Sequence, residues 1–151
     1  MSNAFVVDAS MAFAWVKPSQ ASAESDALLE RIERGATVVV PPLWFLEVAN
    51  GLLVAQRRKL LTASERTQAL TRLSGLALTV DDVDARFAFD RTSTLAAGYG
   101  LSVYDAAYLE VALRRTLPIA SRDETLLSSA ARAGAKVIRG LSSGPPPSSD
   151  E

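Results

Sequence analysis

This sequence predicts a three-layer α/β domain, with helices on both faces of a short central parallel sheet of four or five strands. Three observations carry that prediction. Short apolar, β-branched runs recur along the chain, and each is followed by a segment of helical periodicity, the alternation that yields parallel sheets. The first two runs carry consecutive apolar residues, Phe5-Val6-Val7 and Val38-Val39-Val40, rather than alternating with polar ones, as suits a sheet covered on both sides. The length, 151 residues at 48% hydrophobic and 22% charged, fits one compact domain. Such a chain withdraws roughly 68–70% of its unfolded surface from water.

The elements follow in order. Ala4-Phe5-Val6-Val7 stops at Asp8 and reads as a strand buried on both faces. A short helix follows from Ser10 through Met11, Phe13, Ala14 and Trp15; Lys17-Pro18 ends it, because a residue before proline leaves the helical region. Residues 22–34 make an amphipathic helix with Leu28, Leu29 and Ile32 inward and Gly35 as its stop. Thr37-Val38-Val39-Val40 is a second buried strand closed by Pro41-Pro42, and residues 43–58 are a strongly apolar helix. Thr62-Ala63-Ser64-Glu65 is a capping box opening a helix over 62–76. Leu78-Thr79-Val80 is a short strand, and residues 83–97 read as one helix ending at Gly98 and Gly100. A helix over 102–115 leads to a strand over 117–121; residues 123–133 are helical with Gly134 as the stop, and Lys136-Val137-Ile138 is the last strand. Residues 1–139 therefore read as one domain, and 140–151, rich in Pro and Ser, as a disordered tail.

Composition narrows the chemistry. There is no Cys, which excludes disulfides, thiolate metal sites and thiol nucleophiles. There is no His either, which removes Ser-His-Asp hydrolysis and imidazole acid–base catalysis. Catalysis in this chain rests on carboxylates, hydroxyls, amides, Lys or Arg, or on a metal held through oxygen. With 16 basic and 17 acidic residues the net charge is −1, so bulk attraction to nucleic acid or an anionic membrane is not expected. No membrane span and no signal-peptide pattern are visible, and the expected location is the cytoplasm.

Four carboxylates then stand out. Asp8 and Asp123 both follow strands, where ligands gather in open parallel sheets. Each also has an ordinary reading as the cap of the next helix. Glu47 is the only charged side chain between Leu43 and Ala55, and glutamate is almost never fully buried without a partner. Asn50 and Gly51 share its face one turn on; together they read either as a polar pocket with room for a ligand or as a narrow solvent-facing stripe. Asp105 opens a mostly apolar helix, and Ser102 with Asp105 makes an S-x-x-D capping box, which is compatible with metal ligation through a second oxygen. Four carboxylates in one place repel and raise one another's pKa, so such a cluster calls for cations, and hard oxygen ligands suit Mg2+ or Mn2+.

These residues lie in segments that resemble a known family. Phe5-Val6-Val7-Asp8-Ala9-Ser10, Phe45-Leu46-Glu47-Val48-Ala49-Asn50-Gly51-Leu52, Ser102-Val103-Tyr104-Asp105-Ala106-Ala107-Tyr108 and Ile119-Ala120-Ser121-Arg122-Asp123 are similar to the four signature regions of PIN-domain ribonucleases. Their order and spacing resemble the single-domain VapC-type toxins of VapBC toxin–antitoxin systems, over residues 4–139. The resemblance implies a PIN-like fold with the first and fourth strands adjacent. It implies that Asp8, Glu47, Asp105 and Asp123 form the metal-binding catalytic set, with Asn50, Ser121 and Ser10 as supporting residues. It further implies Mg2+-dependent cleavage of RNA, commonly tRNA or rRNA, to 3′-hydroxyl and 5′-phosphate ends, a homodimer, and silencing by a cognate antitoxin protein.

Of the basic residues Arg57, Arg58, Lys59, Arg114, Arg115 and Arg122, only Arg122, beside the expected site, is read as a phosphate contact; the others read as solvated helix faces. Trp44-Phe45, Tyr104 and Tyr108 read as core or as an interface. The competing function is a catalytically idle PIN-like module that binds RNA or protein. A receiver domain or phosphatase fits less well, since no D-x-D pair follows the first strand and no Lys sits at a matching strand end.

Overall fold

The structure, a computed structural model, describes residues 3–139; the expected tail, 140–151, lies outside them. In chain order the elements are β1 (Ala4–Val7), α1 (Ala9–Val16), α2 (Ala23–Glu33), β2 (Thr37–Val40), α3 (Leu43–Arg57), α4 (Ala63–Ser74), β3 (Leu78–Val80), α5 (Arg91–Tyr99), α6 (Val103–Arg115), β4 (Ile119–Ala120), α7 (Glu124–Arg132) and β5 (Val137–Ile138). Short 3-10 segments occur at Pro18–Gln20 and Ala85–Phe89.

All five strands join one parallel sheet in the order β3-β2-β1-β4-β5, within a three-layer α/β/α architecture. Phe5 pairs with Val38 and Val7 with Ala120, so β1 has β2 on one side and β4 on the other. Strand order therefore reverses at β1, and every strand ends on the same edge of the sheet. Phe5, Val6, Val7, Val38, Val39 and Val40 are buried, as their unbroken apolar runs require. Helices α1 to α4 pack on one another, α5 packs on α6, and α6 lies against β1, β2 and β4.

Local chemistry explains the boundaries. Ser22 and Thr62 both form reciprocal capping boxes, the latter with Glu65 as the sequence predicts. Gly35, Gly100 and Gly134 take positive φ at helix ends, a conformation open to glycine without steric cost.

Three expectations need correction. The single helix over 83–97 is two pieces: Asp84 caps the 3-10 segment by accepting the Arg86 N–H, Asp90 leaves the helical region at φ −114° and ψ −91°, and Gly98 lies inside α5. Strand β4 is shorter than 117–121, because Pro118 has no N–H to give and joins β1 only through its carbonyl, which accepts the Val6 N–H at 2.8 Å. Helix α3 is not buried all round. Trp44, Val48, Leu52 and Ala55 form one inward stripe, whereas Leu46 is 72% exposed, since only one face meets α1 and α4. No helix of the described residues is long and apolar enough to cross a membrane.

Candidate active site

Asp8 leaves the end of β1 and opens α1, yet its side chain makes no helix-cap bond. It is 6% exposed, and its two oxygens each accept a hydroxyl: Oδ1 from Ser10 at 2.6 Å and Oδ2 from Ser121 at 2.5 Å. Those hydroxyls are themselves held, Ser10 accepting the Arg122 N–H and Ser121 the Asp123 N–H, both at 2.9 Å. One carboxylate thus laces the ends of β1 and β4 together. The Asp8 carbonyl is fixed as well, accepting the buried Trp44 indole N–H at 3.1 Å from the first turn of α3. Asp8 thus holds the N-cap position of α1 without spending its side chain on the cap.

Asp123 is exposed and does cap α7, its Oδ1 accepting the Thr125 and Leu126 N–H groups at 2.9 and 3.4 Å. The capping bond uses Oδ1 alone. At the start of α6 it is the Ser102 hydroxyl that accepts the Asp105 N–H, at 3.1 Å. Only that half of the expected capping box forms, and the half-buried Asp105 carboxylate does not close it. Glu47, half-buried on α3, accepts the Tyr108 hydroxyl on Oε1 at 2.5 Å. Tyr108 is 1% exposed and lies one turn after Asp105 on α6.

The electrostatics tie the acids into one neighbourhood. Burial pushes the Asp8 carboxyl up to about 6; the Ser10 and Ser121 hydroxyls pull against this, and the Asp105 and Asp123 charges add to it. Asp105 is raised too, by burial first and then by Asp123, with Ser102 opposing. The Tyr108 phenol is pushed far above its ordinary value by burial, then by its bond to Glu47 and the charges of Glu47, Asp8 and Asp105, so it remains a donor. The Asp105 and Asp123 charges reach Asp8, the Asp123 charge reaches Asp105, and Tyr108 lies within reach of Asp8 and Asp105 while bonded to Glu47.

Among the described residues no three acidic side chains form a ready-made metal cage. The donor set nonetheless fits a hard divalent cation. Asp8 is a buried carboxylate whose side-chain partners are neutral hydroxyls, with two more carboxylates within electrostatic reach. A buried charge of this kind is costly unless a cation balances it.

The supporting residues divide. Ser10 and Ser121 engage Asp8, whereas Asn50 is exposed and takes no part in these bonds. Gly51 is not ligand space: a Cβ there would stand 2.2 Å from Phe13 Cζ, so the missing side chain admits the Phe13 ring. The Arg122 guanidinium donates to Gln20 Oε1 at 2.5 Å while its backbone N–H serves Ser10. Arg114 and Arg115 are more than a solvated helix face: both reach solvent, and both also bind the buried Asp81. Sequence reasoning missed the roles of Trp44 and Tyr108. The available signal was spacing, since each lies three residues, one helical turn, from a singled-out acid, Glu47 and Asp105 respectively.

Comparison with known proteins identifies the fold. A family model described as PIN domain matches residues 5–133. The structure is similar to the crystal structure of PAE2754 from Pyrobaculum aerophilum, at 25% identity and TM-score 0.65, covering 89% of this chain and 91% of that one. FitAcB from Neisseria gonorrhoeae (16% identity, TM-score 0.62, coverage 89% and 96%) shares the fold. So does VapBC2 from Rickettsia felis bound to a DNA fragment from their promoter (11% identity, TM-score 0.64, coverage 89% and 97%). No curated protein matches the sequence.

Proposed function

This chain belongs to the PIN-domain family, whose members are typically nucleases, and from that premise we propose that it is a divalent-metal-dependent endoribonuclease. In this reading it is the toxin of a type II toxin–antitoxin pair, a cytoplasmic homodimer that cleaves tRNA or rRNA and is silenced by a cognate antitoxin. The observation that carries the proposal is the buried Asp8 carboxylate, braced by two hydroxyls and pressed by the Asp105 and Asp123 charges. The likeness to the VapBC2 fold supports the toxin assignment.

Asp8, Asp105 and Asp123 would hold the ion, with Glu47 completing its shell or serving the attacking water. When bound, Mg2+ or Mn2+ supplies positive charge against the phosphate and acidifies water. Glu47 would orient the attacking water or accept its proton as the water oxygen bonds to phosphorus; the bond to the 3′-oxygen breaks and that oxygen takes a proton from solvent, leaving 3′-hydroxyl and 5′-phosphate ends. Ser10 and Ser121 keep both Asp8 oxygens from rotating. Arg122, with its backbone at the same rim, provides positive charge for a neighbouring phosphate.

The test is RNA cleavage with Mg2+, with EDTA, and by Asp8→Asn. Cleavage that survives both chelator and substitution sinks the proposal. A catalytically idle module, the alternative, would bind RNA or protein and show no metal-dependent cleavage.

A further inference from the structure

We infer that Tyr108 is a positioning residue for Glu47, its hydroxyl fixing one carboxylate oxygen so that the other serves the acidic centre. The inference rests on the nuclease reading above and names how one part of that site is held.

A glutamate half-buried on the margin of α3 has three side-chain torsions, and left to itself it spreads over rotamers that face water. Tyr108 removes that freedom. Its ring is 1% exposed and belongs to the hydrophobic core, so the hydroxyl is a fixed point. That hydroxyl donates to Glu47 Oε1 at 2.5 Å, a charge-assisted bond, while Oε2 accepts no hydrogen bond among the described residues.

The ring also belongs to the helix that carries Asp105 one turn earlier, on the same face. Glu47 is thereby set in register with an acid from a different element. At the other end of the same turn of α3, Trp44 is bonded to the Asp8 carbonyl. The helix is therefore tied on one side to the Asp8 backbone and on the other to the Asp105 helix, which is what an acid delivered from a third element requires. An ordinary buried tyrosine would find a backbone carbonyl or water; this one finds the only acid on α3.

The test is a double-substitution cycle on the full chain. With single-stranded RNA and Mg2+, Y108F should lower kcat about tenfold with KM within twofold, the signature of misplaced rather than lost binding. In an E47A background Y108F should cost nothing further, whereas in D123N its effect should persist. E47D, too short to reach Tyr108 from the same backbone, should match Y108F and be insensitive to it, which keeps the test intact if Y108F folds poorly.

Mn2+ affinity measured by calorimetry gives the same cycle without turnover: severalfold weaker binding in Y108F, and no added loss in E47A. Wild-type kcat in folded Y108F, full kcat in E47D, or losses that multiply in the E47A background would overturn the inference. If wild-type protein cleaves no RNA, or cleaves it equally as D8N, the nuclease reading fails. The Mn2+ cycle then still decides the Tyr108–Glu47 coupling, present or absent.

Discussion

Two buried aspartates follow parallel strands in this molecule, and they are held in opposite ways. Asp81, 1% exposed after β3, binds Arg114 at 2.5 Å and Arg115 at 2.6 Å, and Glu110 shares Arg114 at 2.8 Å. Asp8, 6% exposed after β1, has only serine hydroxyls on its oxygens. Burial alone raises both carboxyls. At Asp81 the two guanidiniums outweigh it and hold the group below the usual range; at Asp8 the hydroxyls do not, and the group stands at about 6. Residue type, place in the fold and low solvent exposure are alike; Asp8 lies deeper and lacks a countercharge, and the two together make the difference. One acid is completed by its own chain; the other has no countercharge from it, and under the proposed function a bound cation supplies one.

Asp8→Asn should break the comparison most sharply. It should cost about 1000-fold or more in RNA cleavage rate, about 4 kcal/mol in the barrier. The metal-free fold should melt no lower, and at neutral pH higher, because an unfavourable buried charge has gone. A lower melting temperature would mean Asp8 is structural.

Asp81→Asn should do the reverse, since it leaves two guanidiniums beside a neutral group. Urea unfolding should register a loss of about 3 kcal/mol, at the low end for a broken buried pair because both arginines reach solvent. Cleavage per folded molecule should be unchanged.

The two carboxyls also predict opposite pH trends. Asp8 is raised from 3.8 to about 6, so the folded state holds its proton more tightly than the unfolded chain. Its favourable contribution is complete below about pH 4 and lost as pH rises through 6, by at most about 3 kcal/mol. Asp81 is depressed, so its contribution is present above the unfolded value near 4 and lost as pH falls further. Metal-free unfolding of wild type minus D8N between pH 4 and 7 should trace the first; wild type minus D81N at lower pH should trace the second. A flat wild type minus D8N difference would remove the Asp8 half of the contrast.

The smallest effect separates capping from chemistry at α6. Ser102→Ala should cost about 1 kcal/mol of stability, because its hydroxyl makes the cap bond. Asp105→Asn should cost none in the metal-free protein, and a matching loss there would return Asp105 to a capping role.

What could be read along the chain follows from the range of the forces. Strands β1 and β2 were legible because a parallel strand buried on both faces carries consecutive apolar residues, here Phe5-Val6-Val7 and Val38-Val39-Val40. The capping box at Thr62 was legible because its partner is three residues away. The four acids could be named, but the resemblance grouped them; nothing local brings Asp8 to Ser121, 113 positions on. Trp44 finds its acceptor at a separation of 36 residues and Tyr108 at 61, so their polar ends carried no visible address. Arg114 and Arg115 read as solvated for the same reason, their aspartate lying 33 and 34 positions earlier. Gly51 misled differently: an absent side chain signals room but not who takes it, and a neighbouring phenyl ring does.

The lacing of Asp8 by Ser121 also orders events in time. A ribosome delivers residue 8 long before residue 121, and β1 cannot receive β4 until that later stretch has left the exit tunnel. A growing chain therefore carries its first acid without the hydroxyl and the neighbouring carboxylate that complete the centre. If the chain cuts RNA as proposed, the centre that would do so stays incomplete until β4 has emerged and paired with β1.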